Sequence, residues 1–353
     1  MTRFLHTADI HLNALREFDG FLRRVEKTLQ SITDIAVIHE ADLIVVAGDI
    51  YHSKSITHLE RQLLSDWLGS CPLPIIAISG NHEDRSEDLG DTSLSYLSKI
   101  KHKKHFVYDN YPSFFKKKGC YFILFPFADW TNNEFRLLLE AILENIPEDD
   151  LPIVVVLHEY LRGAKTDTGF VKEKGGQIVL VENLFPRVTY WALGDVHKCQ
   201  KIISNAWYSG SPHQTRFDEK LPKGVLLVDT DNPTEPEIIP ITSSPLIHCS
   251  KLPEEIPSDA FIDFEPETLA DAAVGELPPN VKYHPNAKLF KRQRTSNLEN
   301  IEFGLFAQLD DYLDEAGLSH KMKGRSWRYL RKIGKSLGVK VPIPKQYKRK
   351  KKV

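Results

Sequence analysis

The stretch Asp42-Leu-Ile-Val-Val-Ala-Gly-Asp-Ile-Tyr-His52 constrains the fold more than any other part of the chain. Leu43–Ala47 is an unbroken apolar run, too short for a helix and rich in β-branched side chains. Such a run fits a strand covered on both faces, as in a parallel or mixed sheet with layers above and below. Gly48 ends it and leaves Asp49 at the strand's carboxyl end, where open α/β sheets build their sites.

The neighbouring segments repeat this arrangement. Residues 3–8 read as a strand leading into Asp9-x-His11, and residues 18–39 carry apolar side chains at helical spacing. A helix over 58–68 and a strand over Ile75–Ile78 follow, the strand leading into Gly80-Asn81-His82-Glu83. This βαβαβ order places the first three motifs at the ends of adjacent strands. Further on, strands over 121–125, 153–157 and 190–193 are expected, with a helix over 132–144. The second of these strands runs into His158, and the third into Gly194-Asp195-Val196-His197. Residues 201–203, 206–208 and 224–229 read as strands of an antiparallel second sheet. The fold class is therefore α/β, a two-sheet sandwich flanked by helices.

Residues 159–177, charged and glycine-containing, read as a mobile loop. The proline-rich run over 231–257 marks a boundary. No stretch approaches the ~18 consecutive apolar residues of a membrane span, so no membrane partner and a cytoplasmic location are expected. The four cysteines are far apart and form no Cys-x-x-Cys pair, which fits reduced thiols. Cys199 lies two residues from His197, but packing is the favoured reading for it.

The net charge of −2 hides an asymmetry. Residues 282–353 hold 19 Lys and Arg against 6 Asp and Glu, a net of +13, while the preceding part holds 27 against 42, a net of −15. An acidic body with a basic end suggests a carboxylate-lined site and a separate anionic partner.

Five strand ends finish in metal-ligand residue types: Asp9 and His11, Asp49, Asn81 and His82, His158, and Asp195 and His197. Each alone has a dull explanation in turn chemistry; all five together do not. Carboxylate, imidazole and amide oxygen without thiolate suit Mn²⁺, Fe²⁺ or Zn²⁺ in a reactive site rather than a structural zinc. There are too many ligands for one ion and about enough for two sharing a carboxylate. Two divalent ions about 3.5–4 Å apart clamp a phosphate and make hydroxide available near neutral pH.

In their order and spacing these motifs resemble the calcineurin-like metallophosphoesterases, and within them the SbcD-type DNA-repair nucleases. Leu5-His-Thr-Ala-Asp-Ile-His-Leu12, Gly48-Asp-Ile-Tyr-His52, Ala192-Leu-Gly-Asp-Val-His-Lys198 and Tyr208-Ser-Gly-Ser-Pro212 carry the second resemblance. It covers residues 1–242 well and thins beyond them. It implies a nuclease domain over 1–245, a small capping domain over 246–290 and a basic helical segment over 291–353. It also implies two divalent cations, with Mn²⁺ favoured. Asp9, His11, Asp49 and His197 would hold the first cation and Asp49, Asn81, His158 and Asp195 the second, Asp49 bridging. His82 would be the general acid, or the donor that stabilises charge on the phosphate oxygens, and His52 would contact the phosphate. The implied partners are DNA, an SbcC-like coiled-coil ATPase bound through a helix over 300–318, and a second copy of the chain. The implied setting is the cytoplasm of a bacterial or phage-infected host cell.

Two positions depart from the family pattern. Asp195 stands where His is more usual; it remains a competent hard ligand that favours Mn²⁺, or else it no longer ligates and the second cation binds weakly. Glu83 replaces the usual Asp and would support His82 or a ligand from behind. In the basic end, Trp327 and Tyr329 lie among Arg325, Arg328 and Arg331, a composition that fits DNA-backbone contact as well as a solvated tail. The alternatives to a DNA nuclease are a phosphoesterase acting on small molecules or phosphoproteins, since fold does not fix substrate, and a non-catalytic DNA-binding or scaffold protein.

Overall fold

The computed structural model describes residues 1–83, 92–99, 105–108, 111–128, 130–167, 169, 178–268, 277–284 and Trp327. In chain order the strands begin with β1 (Arg3–Thr7), β2 (Leu43–Ala47), β3 (Ile75–Ile78), β4 (Phe106–Tyr108) and β5 (Ser113–Lys117). They continue with β6 (Cys120–Phe125), β7 (Ile153–His158), β8 (Tyr190–Gly194), β9 (Gln200–Ile203) and β10 (Ala206–Tyr208). The last are β11 (Gly224–Asp229), β12 (Glu237–Pro240), β13 (Leu246–Cys249), β14 (Phe261–Phe264) and β15 (Val281–Tyr283). The helices are α1 (Phe21–Ile38), α2 (His58–Ser70), α3 (Ser95–Lys99) and α4 (Asn132–Asn145).

Alternation along the strands explains the layers. In β2, Leu43, Val45 and Ala47 point into the space between two sheets, while Ile44 and Val46 pack outward under α1 and α2. In β7, Val154 and Val156 point inward, and Ile153, Val155 and Leu157 pack outward under α4. Both strands are therefore covered on both faces, which is why they read as continuous apolar runs. Fully burying each of the Leu, Ile and Val side chains contributes about 1.5–3 kcal/mol. Thr57–Glu60 and Thr131–Glu134 form capping boxes that fix where α2 and α4 start.

The first sheet runs β12-β11-β1-β2-β3-β4 and the second β5-β6-β7-β8-β10-β9. In each, the central strands β1-β2-β3 and β6-β7-β8 are parallel, so their carboxyl ends line one edge of the sandwich. Gly224–Asp229 does not join the second sheet but returns to the first, antiparallel to β1, with Leu5 opposite Leu227. The second sheet is mixed rather than antiparallel: β10 lies parallel to β8. The chain segment after the fifth motif crosses back because Leu226 and Val228 complete the inter-sheet core.

β13, β14 and β15 form a small parallel sheet with its own core of Ala260, Ile262, Phe264 and Val281. The described residues up to Pro266 and those over 277–284 belong to one compact unit. The second unit, 267–269 and 285–353, lies almost wholly outside the described residues, and with it the expected helix over 300–318. Of the loop expected over 159–177, residues 168 and 170–177 also lie outside them. Among the described residues no helix is long and apolar enough to cross a membrane.

Candidate metal centre

All five motifs stand at or just beyond the carboxyl ends of the parallel strands. The turns that present them are tight. Asp9 (φ 52°), His11 (φ 47°), Asp49 (φ 50°) and Asp195 (φ 94°) all have positive φ, four of the seven such non-glycine residues described. Conformations of this kind cost about 1–3 kcal/mol each and persist where surrounding contacts over-determine them. Here the β1 and β2 loops are tied together by Asp9 N to Gly48 O (3.1 Å), His11 N to Asp49 O (2.9 Å) and Leu12 N to Ile50 O (2.8 Å). The motif glycines have a spatial reason: a Cβ on Gly48 would enter the His158 imidazole, and one on Gly80 the Asp49 carboxylate.

The side chains converge in two sets around Asp49, which is 2% exposed. Asp49 Oδ2 lies 3.5 Å from His11 Nε2, and Oδ1 lies 3.4 Å from His158 Nε2. On the first side His11 Nε2 is 2.8 Å from His197 Nε2. Two imidazole nitrogens this close share a proton or a cation. On the second side His158 Nε2 is 3.1 Å from Asn81 Oδ1 and 3.8 Å from Asp195 Oδ1. Asp9 stands between the two, its donor atoms grouped with those of His11 and His197 and with those of Asp49 and His158. Its Oδ1 accepts from Asp195 N at 3.1 Å.

Hydrogen bonds on the far side of each ring set the tautomers. His158 Nδ1 donates to Ala47 O at 2.7 Å, which fixes the ring with Nε2 facing the carboxylates. His82 Nδ1 donates to His52 O at 2.7 Å, and its ring stacks on His52 with centroids 4.8 Å apart. The His82 side chain is 34% exposed at the rim, so its Nε2 faces where a substrate would arrive. His52 Nδ1 lies 3.3 Å from His11 Nδ1, and its backbone N–H is held by Asn13 Oδ1 at 2.7 Å. Glu83 does not touch the His82 ring. It is fully buried and accepts from Tyr51 N (2.6 Å) and Gly80 N (2.7 Å), bracing the backbone of two motif loops at once.

Burial and neighbouring charges compete in the titration of this cluster. Burial pushes Asp9 up to about 7 against the pull of His158 and His197, and Glu83 up to about 8. It also opposes ionisation of Asp49, but the imidazoles around that carboxyl, His158 first, outweigh it and hold Asp49 below the usual range. For His158 burial acts downward, yet Asp49 prevails and the ring is raised well above an ordinary histidine.

These residues fit divalent cations. Asp9 Oδ2 is buried with no hydrogen-bond partner among the described residues, an expensive state for a carboxylate oxygen unless a cation sits beside it. The donor set is hard oxygen and imidazole. Cys199 is not part of it: burial lifts its thiol to about 11, and the side chain packs at the inter-sheet core.

Ligation through Asp9 and through His158 requires each to shed its proton, so divalent-cation affinity is expected to keep rising with pH through about 7, with protons released on binding. Without cations the raised Asp9 stabilises the fold fully below about pH 4, and that contribution is lost as pH rises through about 7. Melting curves with and without Mn²⁺ between about pH 5 and pH 8 measure both trends. A Mn²⁺-induced gain that stays flat over that range contradicts them.

A family model for the calcineurin-like phosphoesterases matches residues 2–199, which takes in all five motifs. The chain belongs to the calcineurin-like phosphoesterase family. Two relatives are each described as a subunit of the nuclease SbcCD. The one from Staphylococcus saprophyticus is 26% identical over 65% of this chain and 66% of its own length. The one from Bacillus subtilis is 26% identical over 80% of this chain and 83% of its own length. Among solved structures, a dimetal phosphatase from Danio rerio overlaps 64% of this chain and 91% of its own at 12% identity, with a TM-score of 0.39. A purple acid phosphatase from yellow lupin overlaps 68% of this chain and 52% of its own at 12% identity, with a TM-score of 0.42. Those structural overlaps are too partial to bear on the site. Membership makes this phosphoesterase a metal-dependent hydrolase, and through its relatives it resembles the SbcD-type nucleases.

In the basic end, Arg325, Arg328, Tyr329 and Arg331 lie outside the described residues. Trp327 is 1% exposed, so it offers no open face for base stacking in this structure. One buried acid at the site carries no sequence motif. Glu219, 22 residues beyond His197, accepts from His197 Nδ1 at 2.7 Å. The signal for it is chemical rather than positional: a ligating imidazole needs a partner for its other nitrogen.

Proposed function

We propose that this phosphoesterase is a two-cation, Mn²⁺-dependent DNA nuclease, exonucleolytic and endonucleolytic, acting in repair, recombination or replication with an SbcC-like ATPase. The observation that carries the hydrolytic part is the placement of Asp49, whose two oxygens face two separate sets of ligand atoms. DNA as substrate rests on the two relatives described as SbcCD nuclease subunits and on the basic end of the chain.

In this reading Asp9, His11, Asp49 and His197 hold one cation, and Asp49, Asn81, His158 and Asp195 the other. Bound cations supply Lewis-acid polarisation of the phosphate and water activated near neutral pH. The chain's own residues do the rest. With Nδ1 donating to His52 O, His82 in its imidazolium form gives the Nε2 proton to the leaving oxygen, or a hydrogen bond to the phosphate oxygens as the leaving group departs. His52, stacked beside it, contacts the phosphate and aligns the strand. The small sheet from Leu246 serves as a cap, the unit beyond residue 285 meets the ATPase and DNA, and the protein works as a homodimer in the cytoplasm.

The test is digestion of linear duplex and single-stranded DNA with Mn²⁺, with and without the ATPase. Mn²⁺-dependent shortening or nicking is expected. Hydrolysis of small phosphoesters with no cleavage of either DNA would replace the nuclease reading by a small-molecule phosphoesterase.

A further inference from the structure

Behind His197, on the side away from the other candidate ligands, lies a buried ionic chain. Glu219, Lys223 and Asp167 have side chains 3%, 5% and 7% exposed. Lys223 Nζ lies 3.0 Å from Glu219 Oε2, 2.8 Å from Asp167 Oδ2 and 3.1 Å from His197 O. An ammonium has three N–H donors, and three acceptors are present. Glu219 is equally engaged. Its Oε1 accepts from His197 Nδ1 and, at 2.8 Å, from Thr215 Oγ1, while Oε2 also accepts from Thr215 N at 3.1 Å.

A buried ion pair is weak evidence for stability, because desolvating two charges opposes their attraction. An apolar pair of the same volume would fill this space at lower cost. The arrangement makes sense through what it does to His197. With the Nδ1 proton donated to a carboxylate, Nε2 must carry the lone pair, and Nε2 is the atom that faces His11. The two carboxylates and one ammonium leave a net negative charge behind the ring, which strengthens the imidazole as a donor to a cation in front of it.

Resting on the two-cation reading above, we infer that Glu219 is a positioning residue for His197, that Lys223 fixes the orientation of the Glu219 carboxylate, and that Asp167 anchors the Lys223 ammonium. The device sits on segments from opposite sides of the fifth motif. Asp167 follows β7 and its His158, whereas Glu219 and Lys223 precede β11. One lysine thus joins the loop beyond one candidate ligand to the support of another.

The experiment is calorimetric titration of the full chain with Mn²⁺, comparing wild type with Glu219→Gln and Asp167→Asn. Gln can still accept from His197 Nδ1 but lacks the charge. Glu219→Gln is expected to weaken one of two cations about 10–100-fold and leave the other unchanged, and Asp167→Asn to do so by less. Circular dichroism of the cation-free proteins checks that the fold is kept. A folded Glu219→Gln variant that binds both cations as wild type does overturns this proposal alone. Wild type that binds no Mn²⁺ overturns the two-cation reading instead. Should Glu219→Gln fail to fold, ¹⁵N spectra of the wild-type histidines decide: His197 protonated at Nδ1 and bare at Nε2 is expected, and the opposite tautomer overturns the proposal.

Discussion

Replacing His82 by Ala is expected to lower turnover of a phosphodiester substrate about 10²–10⁴-fold, or roughly 3–5 kcal/mol in barrier, while Mn²⁺ affinity stays near wild type. The separation follows from which atoms of His82 touch what. Its backbone N–H donates to Asp49 Oδ1 at 3.0 Å, and an alanine keeps that bond. The imidazole makes one short bond, to the His52 carbonyl, and its Nε2 is 3.9 Å from Asp49 Oδ2, too far for a direct hydrogen bond. Removing the ring therefore takes away a proton donor at the rim and leaves the ligand atoms of Asp49, His11 and His158 where they are. Titration calorimetry with Mn²⁺ and initial rates on a labelled DNA strand measure the two quantities separately. Equal loss of both would show that the ring takes part in holding cations, and its role as proton donor would be abandoned.

The contrast between His82 and Glu83 marks the limit of what sequence alone can place. Leu43–Ala47 and Ile153–His158 are readable because a strand covered on both faces leaves no polar alternation, and each ends in or beside a residue type with chemistry. From those ends the convergence of Asp49 and His158 follows once the strands are known to be parallel and packed face to face. The sequence leaves open whether Glu83 supports His82 or a ligand; its carboxylate clamps Tyr51 N and Gly80 N. Adjacent residues in a 3₁₀ turn point to different sides, and sequence spacing alone does not say which side is the site. The return of β11 to the first sheet is hidden for a different reason. An apolar run such as Val225-Leu-Leu-Val228 states that a strand is buried, not beside which neighbour. Glu219 depends on that return, since the segment leading into β11 is what carries it under His197.

The shared carboxylate gives the other large effect. Asp49→Asn is expected to remove the Mn²⁺-dependent stabilisation and to abolish hydrolysis, with the cation-free fold retained. Asn is the suitable replacement because residue 49 sits at φ 50°, a left-handed conformation that Asn and Asp tolerate better than Ala does. The two side chains also have the same shape, so Gly80, whose Cα packs against the Asp49 carboxylate, meets no new bulk. What changes is that one oxygen becomes an NH₂. In one orientation the amide faces His158 Nε2 with its nitrogen, and in the other it faces His11 Nε2. Either way one ligand set keeps an oxygen and the other loses it, and both lose the negative charge that offsets two dications. A wild-type site at about 100 times its dissociation constant in free cation gains roughly 2.7 kcal/mol of stability, so two sites give a large upward shift in melting temperature on adding Mn²⁺. The variant is expected to show almost none of that shift, and its affinity should fall by more than the roughly 10–100-fold that losing an outer partner costs. An Asp49→Asn variant that bound two Mn²⁺ ions with wild-type affinity would mean that the two ligand sets are independent of this carboxylate, whose two oxygens face one set each.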